Sequence, residues 1–192
     1  MISHFLLDGL VDKLMLTISD QIWSNPELGQ KEVLAHDSIC LFFESLGYDV
    51  KRHAYGIETA FEVLSGSGGR LINYNAEYDC LPGIGHACGH NLIATSSIAA
   101  FHALSTVLKK FNIPGRTQLL GTPDEEGKGG KIMLLDGGAY KGVDVSLMAY
   151  VFTIPFSRLV QPANTLNPCS VIPALFMQST RLPESKEWQV VE

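Results

Sequence analysis

The sequence is poor in charge and in extremes. Charged residues make up 18% of its 192 positions, the net charge is −6, and no run of lysines and arginines occurs anywhere. A nucleic acid or an anionic membrane surface is therefore not an expected partner. No apolar stretch reaches the ~18 residues that a membrane-crossing helix needs. The opening residues, MISHFLLDGLVDKL, lack a basic cluster and carry Asp8 and Asp12, so a secretory signal is not expected either. The four cysteines, Cys40, Cys80, Cys88 and Cys169, are too few and too scattered for a disulfide scaffold; a reducing, cytoplasmic setting is the expectation. Internal repeats are absent. Hydrophobic residues, in contrast, make up 46%, enough for a real core, and 18 glycines with nine prolines announce many turns. At ~150 residues per domain, the length fits one domain or slightly more.

Leu10, Leu14, Ile18 and Ile22 recur at four-residue steps and predict a helix over 10–23, ended by Asn25-Pro26. A second helix is predicted over 30–46 and stops at Gly47. Strands are predicted over 48–54, 58–64 and 70–76, with the Gly-rich 65–69 stretch as a tight loop. A long helix follows to about Lys110, with Asn91 as its N-cap. Further strands are predicted over 117–121 and 144–149, with a short helix between them ending at Gly137-Gly138. The middle of the chain thus alternates strand and helix, the pattern of an α/β fold with right-handed crossovers. The unusual loops 81–90 and 122–130 both follow strands, and are expected at the carboxyl edge of one sheet, where such folds build their sites. Residues 151–192 show no sustained period of either kind.

Chemistry-bearing residues gather in two clusters. In AEYDCLPGIGHACGHN (76–91), Asp79, His86, Cys88 and His90 stand among glycines. Cys88 and His90 are two apart, so in extended chain their side chains share a side. Thiolate and imidazole suit zinc and related metals. In GTPDEEGKGG (121–130), Asp124, Glu125 and Glu126 follow one another. Adjacent glutamates on a constrained loop diverge, so that one can hold a metal while its neighbour moves protons. Blander readings stand beside these. Three acids in a loop form a solvated turn more often than a site. Cys88 with His86 or His90 is a candidate nucleophilic pair, although residues i and i+2 are poorly disposed for proton transfer. A structural zinc site is disfavoured, since Cys80 and Cys88 lack the close spacing it uses.

The strings EYDCLPGIGHACGHNLIA and GTPDEEGKGGKIMLLDGGAYKGVDVSLMA, with IWSNPELGQKE and AYGIETAF before them, closely resemble metallopeptidase family 20. The subgroup is that of the aminoacylase-1-like amidohydrolases and dipeptidases, relatives of hippurate, aminobenzoyl-glutamate and auxin-conjugate hydrolases. The resemblance covers roughly residues 10–149. It implies an α/β fold with a zinc-exopeptidase-like sheet, mixed and partly parallel, flanked by helices. It implies Cys88, His90 and Glu126 as metal ligands, Glu125 as the general base, and Asp79 as the aspartate supporting the metal site. His86 would have a structural role. Two divalent metals, zinc or manganese, are implied per complete family site. The implied reaction is hydrolysis of a small amide bond, in a dipeptide or N-acyl amino acid, by metal-activated water. Within the subgroup, dipeptidases for basic C-terminal residues look most similar. A homo-oligomer is implied for the complete family protein.

Departures from the family begin at Tyr150, where it carries a metal-binding histidine. None of this chain's histidines (His4, His36, His53, His86, His90 and His102) lies beyond residue 102, so a second, later histidine ligand is missing too. The family's lid and dimerisation domain is not expected within these 192 residues. The expected organisation is therefore residues 1–150 as the N-terminal part of a metallopeptidase catalytic domain and 151–192 as a divergent tail, from an altered frame or gene model. An alternative function follows: a truncated, inactive member that is inert or binds a full-length relative at its dimer or domain surface; exposed apolar faces of the incomplete sheet would favour association or aggregation. Without a cation, Glu125 and Glu126 are expected to repel each other.

Overall fold

The computed structural model describes residues 14–150 and the strand 174–179. The first helical segment begins with a π-helical turn, Leu14–Ser19, which runs directly into α1, Asp20–Ser24. Ile18 and Ile22 are buried, as their spacing predicts, and Asn25 ends the helix; residues 10–13 of the expected helix lie outside the described residues. Helix α2, Val33–Ser45, is followed by Leu46 and by Gly47 at φ +80°, the left-handed cap. It starts three residues later than the sequence predicts, because Gln30 takes φ +62° and breaks the helical path.

Strands β1 (Val50–Arg52), β2 (Phe61–Ser67) and β3 (Leu71–Ala76) come next, then α3 (His90–Lys110), β4 (Gly115–Gly121), α4 (Gly130–Asp136) and β5 (Val145–Tyr150). The last described element is β6, Ala174–Ser179. It lies in the 151–192 stretch, where the sequence shows no sustained period. Its apolar ALFM run neither alternates nor recurs at helical spacing, so periodicity cannot reveal it. The remainder of that stretch lies outside the described residues.

The six strands form one sheet in the order β1-β2-β4-β3-β5-β6. Three adjacent strands, β4, β3 and β5, are parallel; β1, β2 and β6 join antiparallel. The sheet is therefore mixed and partly parallel. The Gly-rich 65–69 stretch is not simply a loop, since β2 continues through Ser67. Its glycines let the chain cross the start of β4, which lies between β2 and β3. A Cβ on Gly66 would stand 2.2 Å from the Gly115 carbonyl oxygen, and one on Gly69 would stand 2.4 Å from that of Pro114.

Helices cover both faces. On one face Ile22, Ile39, Phe43, Ile98 and Phe101 pack with Phe61, Val63 and Leu119. On the other, Leu120 packs with Leu134 of α4, Ile57 and Ala60. Leu119 and Leu120 reach opposite cores because successive strand residues point to opposite sides. Helix α3 is long and apolar enough to cross a membrane by length and composition, but its Ile93, Ala94, Ile98 and Phe101 are buried against the sheet.

Candidate metal centre

The parallel strands β3 and β4 run in register to Ala76 and Gly121, so the loops that follow them leave the same edge of the sheet. This is the arrangement the sequence predicts, and it brings the two clusters together. The first loop ends at Gly89, whose φ of +79° starts α3. Gly89, not Asn91, is thus the N-cap. Asn91 lies inside the helix and its side-chain amide donates to Ser19 Oγ at 3.2 Å. His90 becomes the first residue of α3, with Cys88 just before it.

The candidate ligand atoms of Cys88, His90 and Glu126 all lie within 4.8 Å of one another. His90 is buried, and its Nδ1 sits 2.8 Å from the Asp79 carbonyl oxygen and 2.9 Å from Asp79 Oδ1. With the Nδ1 proton donated there, Nε2 turns toward Glu77 at 3.4 Å and Glu126 at 3.7 Å. A carboxylate behind a histidine in this way fixes the ring and raises its basicity toward a metal. Asp79 Oδ2 also accepts the backbone N–H of Glu126 at 3.0 Å, so one aspartate ties both loops.

These contacts set the charges. Burial pushes the Asp79 carboxyl up, but the His90 hydrogen bond and the Glu126 N–H outweigh it and hold the group below its ordinary range. Burial likewise disfavours charge on His90, but Asp79 and Glu77 overcome it and hold its pKa above the ordinary value. Burial, with the nearby Glu126 and Asp79 charges, pushes the Cys88 thiol up. A nucleophilic cysteine needs the opposite environment. The Cys88 sulfur makes its 4.0 Å contact with the Asp79 carbonyl oxygen and hydrogen-bonds to neither imidazole. His86 is buried beside Trp23, and neither ring nitrogen has a hydrogen-bond partner of normal geometry. Burial lowers its pKa.

The acidic loop is not a solvated turn at Asp124. That residue is 4% exposed, takes φ +58°, and accepts a 2.9 Å hydrogen bond from Gln30 Nε2. Its backbone N–H donates to Glu32 Oε1 at 2.8 Å, while Thr59 Oγ1 donates to Glu32 Oε2 at 2.8 Å. A Cβ on Gly29 would fall 2.0 Å from Asp124 Oδ1. The PELGQKE segment (26–32) is therefore the brace of the acidic loop. The two half-exposed glutamates diverge: Glu126 faces His90, and Glu125 pairs with Lys131 of α4. The expected mutual repulsion of Glu125 and Glu126 is accordingly corrected, because Lys131 supplies the cation. Lys131 also pairs with Glu77. Glu77, Lys131 and Glu32 do not stand out in the sequence as site residues. For Glu77 the one available signal is an acid placed between the buried end of β3 and the Asp79 position; for Lys131 and Glu32 the sequence offers none.

Thiol, imidazole and carboxylate donors converging at a sheet edge, with the histidine backed by a carboxylate, form a set that fits a zinc-like divalent ion. Fold and donor set together place a candidate divalent-metal site at the carboxyl edge of a mixed, partly parallel α/β sheet. Residues 74–160 match the profile of Peptidase family M20/M25/M40, and the chain is related to that family. It is 40% identical over 146 residues to the Xaa-Arg dipeptidase of Mus musculus, covering 69% of this chain and 34% of the mouse protein. It is 33% identical over 147 residues to a p-aminobenzoyl-glutamate hydrolase chain of Escherichia coli, covering 68% of this chain and 31% of that protein. The chain thus spans about a third of the length of these curated relatives. Among solved structures, a dinuclear metal binding peptidase of the M20 family from Bacillus subtilis shares the fold, with a TM-score of 0.61 and 23% identity over 69% of this chain and 40% of that one. A putative aminohydrolase from Staphylococcus aureus matches with a TM-score of 0.60 and 23% identity, over 72% of this chain and 40% of its own.

Proposed function

We propose that this chain carries the N-terminal, metal-binding part of an amidohydrolase or dipeptidase catalytic domain. The reaction is hydrolysis of a small amide bond, in a dipeptide or an N-acyl amino acid. The observation that carries the reading is the convergence of Cys88, His90 and Glu126 beside a separate carboxylate, Glu125. Cys88, His90 and Glu126 would hold a divalent ion, zinc or manganese. Such an ion, when bound, supplies Lewis acidity to the scissile carbonyl and lowers the pKa of water. Glu125 takes the proton of the attacking water and returns it to the leaving nitrogen. Asp79 is buried and acts through its neighbours. It holds His90 by the Nδ1 proton and Glu126 by its backbone, so it sets the geometry of two ligands at once. The relatives named for dipeptides ending in arginine and for aminobenzoyl-glutamate make these the first substrates to try.

A second reading is a member that is inactive by itself, inert or associated with a full-length relative. It is favoured by one observation: among the described residues, three candidate ligands converge. Elemental analysis of the purified chain, with Cys88→Ser and His90→Ala controls, combined with hydrolysis assays on an Xaa-Arg dipeptide and p-aminobenzoyl-glutamate, separates the readings. Metal that is lost in the controls, together with turnover, supports the hydrolase. Metal without turnover supports the second reading. A folded chain that takes up no zinc, manganese or cobalt refutes the metal centre.

A further inference from the structure

Lys131 sits in the first turn of α4 with its side chain 25% exposed, and its ammonium pairs with Oε1 of Glu77 and Oε2 of Glu125. Glu77 is 2% exposed. Each carboxylate is adjacent to a candidate ligand. The other oxygen of Glu77 stands 3.4 Å from His90 Nε2, and Glu125 directly precedes Glu126. Both lie close enough to be drawn onto a divalent ion bound at Cys88, His90 and Glu126: Glu77 as a buried carboxylate that needs a counter-charge, and Glu125 as the chain neighbour of a ligand. The Lys131 ammonium is a competing cation already in contact with both. It is a compact charge with three donors, and it pairs with one oxygen of each carboxylate.

Resting on the metal centre proposed above, we propose that Lys131 is a resident counter-cation that keeps Glu77 and Glu125 out of the metal's coordination sphere. Cys88, His90 and Glu126 are thereby left as the ligands, and Glu125 stays a free carboxylate. Two glutamates that are neighbours in sequence acquire different roles because only one of them meets the lysine. Lys131 is on this account a positioning residue: it acts through Glu125 and Glu77.

Cobalt(II) titration of the full chain tests this, since cobalt reports both affinity and coordination number by visible absorption. Lys131→Met is expected to bind cobalt at least about tenfold more tightly. Its ligand-field absorption should also weaken as released carboxylate oxygens raise the coordination number. Lys131→Arg, which retains a cation, should restore the wild-type spectrum. Glu125→Gln should leave cobalt affinity within about twofold of wild type, because Glu125 is not a ligand. Unchanged affinity and spectrum in Lys131→Met overturn the inference while leaving the metal centre intact. A loss of about tenfold or more in Glu125→Gln does the same, and it decides the matter even where Lys131→Met fails to fold. A folded wild-type chain that binds no cobalt overturns both the metal centre and the role of Lys131.

Discussion

Removing the Glu32 carboxylate should loosen the acidic loop and the ligand it carries. Glu32 is fully buried and accepts two hydrogen bonds, from the Asp124 backbone N–H and from Thr59 Oγ1, each at 2.8 Å. Hydrogen bonds to a charged acceptor contribute about 1.5–3 kcal/mol each. Against them stands the cost of burying the carboxylate, which raises the Glu32 pKa even though Thr59 and Asp124 act to lower it. The net loss in Glu32→Ala is therefore about 2–4 kcal/mol. With a urea m-value of about 2 kcal/mol/M, the midpoint should fall by about 1–2 M. Glu32→Gln should fare much better. Its amide oxygen can keep the Asp124 N–H, and its NH2 can donate to a Thr59 hydroxyl that turns round as acceptor. Because the lost bond anchors the residue before Glu125 and Glu126, cobalt affinity in Glu32→Ala should drop about tenfold or more. The reasoning is refuted if Glu32→Ala unfolds within about 0.5 M of wild type, or if Gln is as damaging as Ala.

Gly121→Ala should destabilise the chain by about 1–3 kcal/mol or more, measured as a lowered thermal midpoint, because the new methyl would lie 2.3 Å from the Phe61 ring and 2.6 Å from Tyr78 Oη; an unchanged midpoint would contradict it. Burial depresses the pKa of His36, His86 and His102, whereas Asp79 and Glu77 raise that of His90 against burial. Each of the first three contributes stability that is present above pH ~6.5 and lost as pH falls toward its folded value; His90 contributes stability that is present below ~6.5 and lost as pH rises through its folded value. An NMR titration of the imidazole signals of the metal-free chain checks this, and His90 titrating below the other three would sink it. Cys40 has no exposure, and burial pushes its thiol up to about 12, so iodoacetamide should leave it unmodified in the native chain. Cys88, which is half-buried, should react ahead of Cys40 and Cys80 and be protected by added zinc; peptide mass mapping that finds Cys40 ahead of Cys88 would refute the packing.

What can be read from sequence is local. The Leu14, Ile18, Ile22 spacing, Gly47 at the end of α2, and the alternation of strand and helix through α3, β4, α4 and β5 all reflect interactions within a few residues. The sheet order is not legible. Nothing near Gly66 or Gly69 says that β4, almost fifty residues later, will pass between β2 and β3. At the site, Cys88 and His90 announce themselves by residue type and spacing, and the resemblance names Asp79, Glu125 and Glu126. The chemistry of Asn91, a good cap by type, points to the wrong start for α3. The left-handed turn at Gly89 is needed instead to deliver His90 to Asp79.

The residues that the sequence does not single out share one property: their partners are distant in the chain. Glu32 and Gln30 meet Asp124 across 92 and 94 residues, and Lys131 reaches back to Glu77 at the end of β3. A carboxylate at position 32 falls in the first turn of the predicted 30–46 helix, and a lysine at 131 directly follows the Gly-rich 127–130 stretch; neither place marks a site. Only the parallel pairing of β3 with β4, which brings both loops to one edge, turns these into a buried brace and a counter-cation. The consequence is that the donor set and its electrostatic control have different origins. The ligands sit in two short motifs, whereas the groups that decide their orientation and charge depend on the completed sheet. A peptide carrying residues 76–91 and 121–130 alone would possess Cys88, His90 and Glu126, yet would lack the Glu32 and Gln30 contacts that hold Asp124 at φ +58° and so aim Glu125 and Glu126 apart.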